Sequence, residues 1–248
     1  MHAILKAIFY APLYNALIFF IAVIPFHNVG LAVILFTLII KIVLFPLSQK
    51  SVKTQFAMKQ LEPALNEIKV KYKDNKTLQA EKTMQLYQEK GINPFAGILL
   101  LLIQFPVLLA LYYIFSRGGL PGIDHSTIYS FTKMPSAINV MFFGVNVVGK
   151  STVFAVLAAV AQFFQMQFIM PKMAKKDPKA DGGPKFSDEL SRSMNMQMKY
   201  IMPIVIFLVA KNFTVVVSLY LITSSIFAIG QEIYVRRNRT APALGKIA

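Results

Sequence analysis

Cysteine is absent from this 248-residue chain, which excludes disulfides, thiolate chemistry and a lipid-modified lipoprotein N-terminus. Histidine is nearly absent: His2, His27 and His125 lie far apart, and none opens a metal-binding pattern. Neither HExxH nor GxSxG occurs, and no glycine-rich loop is present to cradle a nucleotide phosphate. Carboxylates are scarce, eleven against twenty-six lysines and arginines, and by sequence all eleven fall in loops or at helix ends. Ion-coupled transport generally needs acidic or histidine side chains within the membrane, so that class is disfavoured. The chain is therefore expected to be no enzyme, with no catalytic residue, no metal and no cofactor.

What is abundant is apolar. The chain is 56% hydrophobic, yet its net charge is +15, and its mean hydropathy is +0.55. That combination marks a multi-pass membrane protein with basic loops. A soluble nucleic-acid binder would not carry several long apolar runs, so the positive charge is not read as a nucleic-acid footprint.

Apolar stretches near the roughly 20 residues needed to cross a bilayer predict an all-α membrane protein, a bundle of five transmembrane helices. The expected spans are residues 28–48, 93–115, 151–171, 194–211 and 213–235. Residues 1–27 precede them. Their apolar run is interrupted by Pro12, Asn15 and Pro25, which suits an interfacial helix on the external side better than a sixth span. The segment lacks a small-x-small site and reads poorly as a signal peptide.

Charge orients the bundle. Residues 49–90 carry nine lysines, 171–200 carry seven basic residues and the stretch after Val235 carries four, whereas the opposite side carries only Lys6, Arg117, Lys133, Lys150 and Lys211. By the positive-inside rule the N-terminus lies outside and the C-terminus in the cytoplasm. Residues 49–92 become cytoplasmic. Within them Met58, Leu61, Leu65, Ile68 and Tyr72 recur at spacings of 3 and 4, and a second helix from about Thr77 to Lys90, stopped by Gly91, is its expected partner. This is a cytoplasmic helical hairpin, with Pro63 interrupting its first arm. Residues 116–150 form an external loop, 172–193 a cytoplasmic loop read as disordered, and 236–248 a short basic tail. Seven of twelve methionines, among them Met166 and Met202, flank the cytoplasmic ends of the third and fourth spans. They read as gap filling or as an adaptable surface.

Lys41 lies within the first span with no carboxylate in that stretch. A lysine at a helix centre costs roughly 2.5–3.5 kcal/mol on insertion scales, so it either snorkels to an interface or faces a bundle interior or aqueous cavity. Thr37, Lys41 and Ser48 share one face. Ser151, Ala155, Ala158, Gln162 and Gln165 form a small and polar stripe on the third span, Gln104 follows Gly97 by a heptad on the second, and Ser218 and Ser225 are a heptad apart on the fifth. Each residue alone is compatible with interhelical packing. Together the four stripes point to a shared hydrophilic cavity.

Four segments in order resemble the YidC/Oxa/Alb family of membrane protein insertases, in its short bacterial form. TLIIKIVLFPLSQKS (residues 37–51) is similar to the family's first core span, and MKQLEPALNEIKVKYKDN (58–75) to its hairpin. LYQEKGINPFAGILLLLIQFPVLLALYYIF (86–115) carries the LY, NP, G and QxP elements of the second span, and LYLITSSIFAIGQEIYVRR (219–237) resembles the last. The resemblance implies a five-helix core around a groove open to the cytoplasm and to lipid, in the bacterial plasma membrane. It implies Lys41 as the groove's positive charge, with Thr37, Gln104, Gln162, Gln165 and Ser225 as lining residues. Glu62, Pro63 and Tyr87 then belong to the hairpin, and Asn93 and Pro94 to its junction with the second span. Implied partners are nascent membrane proteins with short acidic or polar translocated tails, the lipid bilayer, and as further candidates the translocon, the ribosome or signal recognition machinery. No ATP is required. The residues leave two other readings open, a small-solute channel or carrier and an assembly scaffold that does not insert its clients.

Overall fold

A computed structural model describes residues 6–93, 96–116, 120–169 and 197–237. It is mostly helical. The chain divides into two compact units, one comprising residues through Ile42 together with those from Val107 onward, the other Val43–Pro106.

The first unit opens with a π-helical turn at Lys6–Tyr10 and helix α1, Ala11–Val23. Pro12 supplies no N–H to the helical ladder, and the chain resumes its α winding just past this wider turn. Tyr14, Leu17, Ile18 and Ile21 recur at 3, 1 and 3, all fully buried. At 13 residues, about 20 Å at 1.5 Å per residue, α1 is too short for the roughly 30 Å hydrocarbon core.

Helix α2, Val29–Val43, buries Val29, Ala32, Val33, Phe36 and Thr37 and exposes Leu31, Leu35, Ile39 and Ile42. The expected uninterrupted span over 28–48 is instead two helices. The break falls at Leu44, because Pro46 cannot donate to the carbonyl of residue 42 and its ring crowds that carbonyl. The helix that follows, α3, Phe45–Gln60, runs well beyond Ser48.

The second unit continues with α4, Glu62–Lys71, and α5, Lys76–Glu89. The first arm is interrupted, as Pro63 suggests, and the break falls at Leu61: α3 ends at Gln60, and Pro63 sits in the first turn of a new helix, where its missing N–H is harmless. Asn75 caps α5 by accepting a hydrogen bond from the Leu78 N–H at 3.0 Å. Gly91, at φ +63°, ends it. Helix α6, Ala96–Ser116, then carries Pro106 in its interior.

In the first unit the segment 120–150 includes a two-stranded hairpin, β1 (Met141–Phe142) and β2 (Val145–Asn146). Helix α7, Thr152–Ile169, follows. A second π-helical turn, Gln197–Ile201, leads into α8, Met202–Asn212, again just before a proline, Pro203. Phe213 and Thr214 separate α8 from α9, Val215–Arg237. Helix α7 packs against both α8 and α9. Among the described residues, α7 and the stretch Val215–Val235 are long and apolar enough to cross a membrane, and Val29–Val43 with Phe45–Thr54 makes a third if the broken pair is one span. The expected loop 172–193 lies outside the described residues, as do Met170, Met173, Met194, Met196 and residues 238–248.

Side chains from α1, α2, α6, the hairpin and α9 meet in one apolar cluster. Its register is set by polar groups of the 120–150 segment. The Asn15 amide is fully used: Nδ2 donates to the carbonyls of Ala11 (2.8 Å) and Thr127 (2.9 Å). Its Oδ1 accepts from the Tyr129 N–H (2.7 Å) and the Thr132 hydroxyl (2.8 Å). Asn28 Nδ2 donates to the Met141 carbonyl (2.7 Å), while its Oδ1 caps α2 through the Leu31 N–H (3.1 Å). The Val215 and Val216 N–H groups at the start of α9 donate to the carbonyls of Gly149 (2.9 Å) and Val147 (3.1 Å). The hairpin also rests on Gly30, where a Cβ would come within 2.5 Å of the Phe142 ring.

Two stability predictions follow from these contacts. Asn15→Leu strands the Tyr129 N–H and the Thr132 hydroxyl, at about 1–3 kcal/mol for each buried group left unsatisfied, so thermal unfolding in detergent is expected at a clearly lower temperature. Gly30→Ala is expected to destabilise as well, with partial recovery in the Gly30→Ala/Phe142→Ala double variant; equal melting of the single and double variants would contradict the contact.

Candidate functional site

On α2 the lipid-type residues Leu31, Leu35, Ile39 and Ile42 take one side. Val33 and Thr37 are buried on the other, and Lys41 extends that second row by one further helical turn. Lys41 is half-buried. Thr37 is wholly buried, and its hydroxyl donates to the Val33 carbonyl of its own helix at 2.6 Å. It is thus a satisfied polar group in a packed layer, with Lys41 one turn beyond that layer.

The stripe predicted on the third span is inward-facing. Ala155 and Ala158 are fully buried against α8 and α9, with Ala210 of α8 in the same cluster. Small side chains there let the helices approach closely. One turn further on, Gln162 Oε1 accepts a hydrogen bond from the Ser225 hydroxyl of α9 at 3.3 Å. Ser225 is buried, whereas Gln162 and Gln165 remain half-buried. Apolar close packing therefore gives way along α7 to amide groups that retain contact with their surroundings. Thr214 and Ser218 at the start of α9 are buried hydroxyls with no hydrogen-bond partner among the described residues.

Gln104 lies in the second unit, half-buried on α6, two residues before Pro106. Glu62 and Pro63 open α4. Tyr87 lies near the end of α5, and partial burial raises its hydroxyl pKa. Its carbonyl accepts from the Ile92 N–H at 2.8 Å, closing the turn around Gly91. Asn93 is exposed, and Pro94 lies outside the described residues. The cleft between α4 and α5 is lined by Glu67 and Glu89 as well as Lys71 and Lys82 over Ile68 and Leu86; charges of both signs give it no preference for an anion or a cation. No group of three or more His, Asp or Glu residues suited to a metal occurs among the described residues.

Three polar residues were not singled out from sequence as organising the structure. In the sequence Asn15 reads only as an interruption of an apolar run, and Asn28 is one more polar residue beside the first span. Their signal was an amide side chain amid apolar neighbours, which implies a buried partner from elsewhere. Glu232, read as a helix-end carboxylate, is 2% exposed on the inward side of α9 beside buried Gln231. Its position in the last third of a long helix concealed this.

The profile of the family described as "60Kd inner membrane protein" matches residues 20–242. The membrane protein insertase YidC of Pelodictyon phaeoclathratiforme is 29% identical over 222 residues, which cover 89% of this chain and 35% of that protein. Membrane protein insertase MisCA of Bacillus subtilis is 30% identical over 226 residues, covering 90% of this chain and 76% of its own. Membrane protein insertase YidC 2 of Bacillus anthracis is 32% identical over 208 residues, with coverages of 82% and 70%. The chain thus spans about a third of the length of the Pelodictyon protein and about three quarters of the two Bacillus proteins.

The Gln162–Ser225 bond predicts a small coupling. In a cycle of Gln162→Leu, Ser225→Ala and the double variant, interhelical coupling is expected at about 0.6 kcal/mol, measured by unfolding in detergent. A coupling of several kcal/mol would require a larger network than this one bond.

Proposed function

The chain belongs to the 60Kd inner membrane protein family, and on that premise we propose that it is an insertase, which moves short polar segments of nascent membrane proteins across the bilayer without nucleotide hydrolysis. The observation that carries the reading is the placement of Lys41. It continues the row of Val33 and Thr37 on α2, flanking the exposed row of Leu31, Leu35, Ile39 and Ile42, one turn beyond the packed layer that ends at Thr37. A cation in low-dielectric surroundings attracts a carboxylate far more strongly than it would in water. An acidic tail leaving the cytoplasm meets that attraction before it meets lipid, so part of the cost of its desolvation is offset. The half-buried amides Gln162 and Gln165 are further hydrogen-bonding stations for such a segment, and the half-buried Gln104 is assigned the same role.

In this reading the five expected spans are retained. The break at Leu44 belongs to the first, and α8 with its preceding turn belongs to the fourth. Helix α1 lies along the external interface, and the pair α4–α5, with its excess of lysine, lies in the cytoplasm, where it meets clients or the machinery that delivers them. The C-terminus is cytoplasmic. The insertase names of the Bacillus relatives, which this chain matches over most of their length, support the activity. The excess of basic residues on one side supports the orientation.

The test is insertion of a single-span client with an acidic translocated tail, in cells depleted of their own insertase. Lys41→Arg is expected to retain insertion, Lys41→Ala to impair it, and Lys41→Glu to impair it most, with the loss smaller for a client whose tail is neutral. Undiminished insertion by Lys41→Glu would overturn the electrostatic role. Photocrosslinkers at positions 41, 104 and 165 distinguish insertion from scaffolding: an inserted client reacts there, whereas a scaffolded client reacts only at the apolar outer faces.

A further inference from the structure

The hairpin β1–β2 is unlike a water-facing turn. Residues 134–149 contain no charged side chain, although they form nearly half of the connection between α6 and α7. At the tip, Phe143 and Gly144 both take positive φ, +48° and +76°, the conformation for which tight hairpins ordinarily use Asn-Gly. A bulky residue there is disfavoured, and apart from an edge-on contact with the neighbouring Phe142 ring at 4.7 Å it finds little packing in the protein, since Phe143 is 90% exposed. Phe26 repeats the pattern: its φ is +63° and it is 83% exposed. His27 at φ +49° completes the positive-φ non-glycine residues among the described residues. Its ring is held between the Ile21 carbonyl (3.0 Å) and the Ser136 hydroxyl (2.9 Å). The fold therefore expends backbone strain to present two aromatic rings outward, with Met141, 48% exposed, beside one of them.

The location of these rings identifies what receives them. The hairpin is bonded to the first residues of two apolar helices, through Asn28 and Val29 to α2 and through Val147 and Gly149 to α9. Phe26 is three residues before α2. The rings thus stand at the level where these helices begin, which for membrane-crossing helices is the headgroup layer, and phenylalanine, like tryptophan and leucine, is used by interfacial elements to enter the boundary between headgroups and acyl chains. We propose that Phe26 and the hairpin tip, Met141 and Phe143, form an aromatic anchor that dips into the bilayer interface and sets the depth of the capped ends of α2 and α9. This rests on α2 and α9 entering the bilayer, but not on any insertase activity.

The chain has no tryptophan, so a single substitution supplies a unique fluorophore. Phe143→Trp and, independently, Phe26→Trp in the full chain reconstituted into phosphatidylcholine vesicles are compared with Asp74→Trp, at an exposed position in the turn between α4 and α5, as a water-facing reference and Leu35→Trp as a deep one. Both anchor variants are expected to emit blue-shifted from the reference and to be quenched by lipids brominated near the glycerol end of the acyl chain. Acrylamide should quench them several-fold less than the reference, and these properties should persist when the protein is diluted into excess lipid. Acrylamide quenching equal to the reference, or protection from both quenchers that is lost on dilution and so reports a protein contact, would overturn the anchor. Quenching of Leu35→Trp by deeply brominated lipid separates the two failures: if it holds, only the anchor is wrong; if it is absent, the membrane placement of α2 fails too.

Discussion

Apolar helices attract one another without direction, so something else must decide how α1, α2 and α9 stand in register. That constraint is met by amide and backbone hydrogen bonds from the 120–150 segment. The Asn15 side chain uses both its donors and both lone pairs, two of these bonds to residues more than a hundred positions away on the segment's backbone. Asn28 joins the hairpin to the first turn of α2, and Gly149 and Val147 receive the first N–H groups of α9. Helix ends that would otherwise leave N–H groups unpaired are thereby closed by protein. Once α1 is tied through Asn15 and α2 and α9 at their first turns, burying Tyr14, Val33, Phe36 and Tyr220 in one cluster follows with little further choice.

The same economy of polar groups explains the candidate site. Where a hydroxyl can be satisfied by its own helix, as at Thr37, the layer stays tightly packed and dry. Where facing helices carry small residues, as at Ala155, Ala158 and Ala210, they approach closely. Beyond these layers come Lys41 on α2 and the half-buried amides of Gln162 and Gln165 on α7, groups too polar to be sealed at low cost. A transition along the helices from sealed packing to solvated polarity is what the proposed passage of a short polar segment requires. Glu232, buried on α9, adds a carboxylate within the span region.

Much of this could be read from the residues. The apolar runs at residues 151–171 and 213–235 coincide with the two described helices long and apolar enough to cross a membrane, and Gly91 marked the end of the helix Lys76–Glu89. The inward stripe on α7 was evident from Ala155, Ala158 and Gln162. Helix limits were less legible. Pro46 and Pro63 each sit near a helix start, and a proline there is tolerated or breaks the ladder according to what precedes it. Sequence periodicity continues through both positions; Pro63 pointed to an interruption of the hairpin arm, whereas the break at Leu44 was not evident.

The amino-acid order by itself determined the membrane character, the apolar runs and the lysine within the first of them, because hydropathy and helical period are local properties that survive any packing. Only the tertiary structure decided that Asn15 and Asn28 are fasteners and that Glu232 is buried. It also decided that two strained phenylalanines face outward from the capped helix ends. Each of these depends on a partner, or on the lack of one, far away in the chain, and burial is a property of the neighbours a residue acquires on folding.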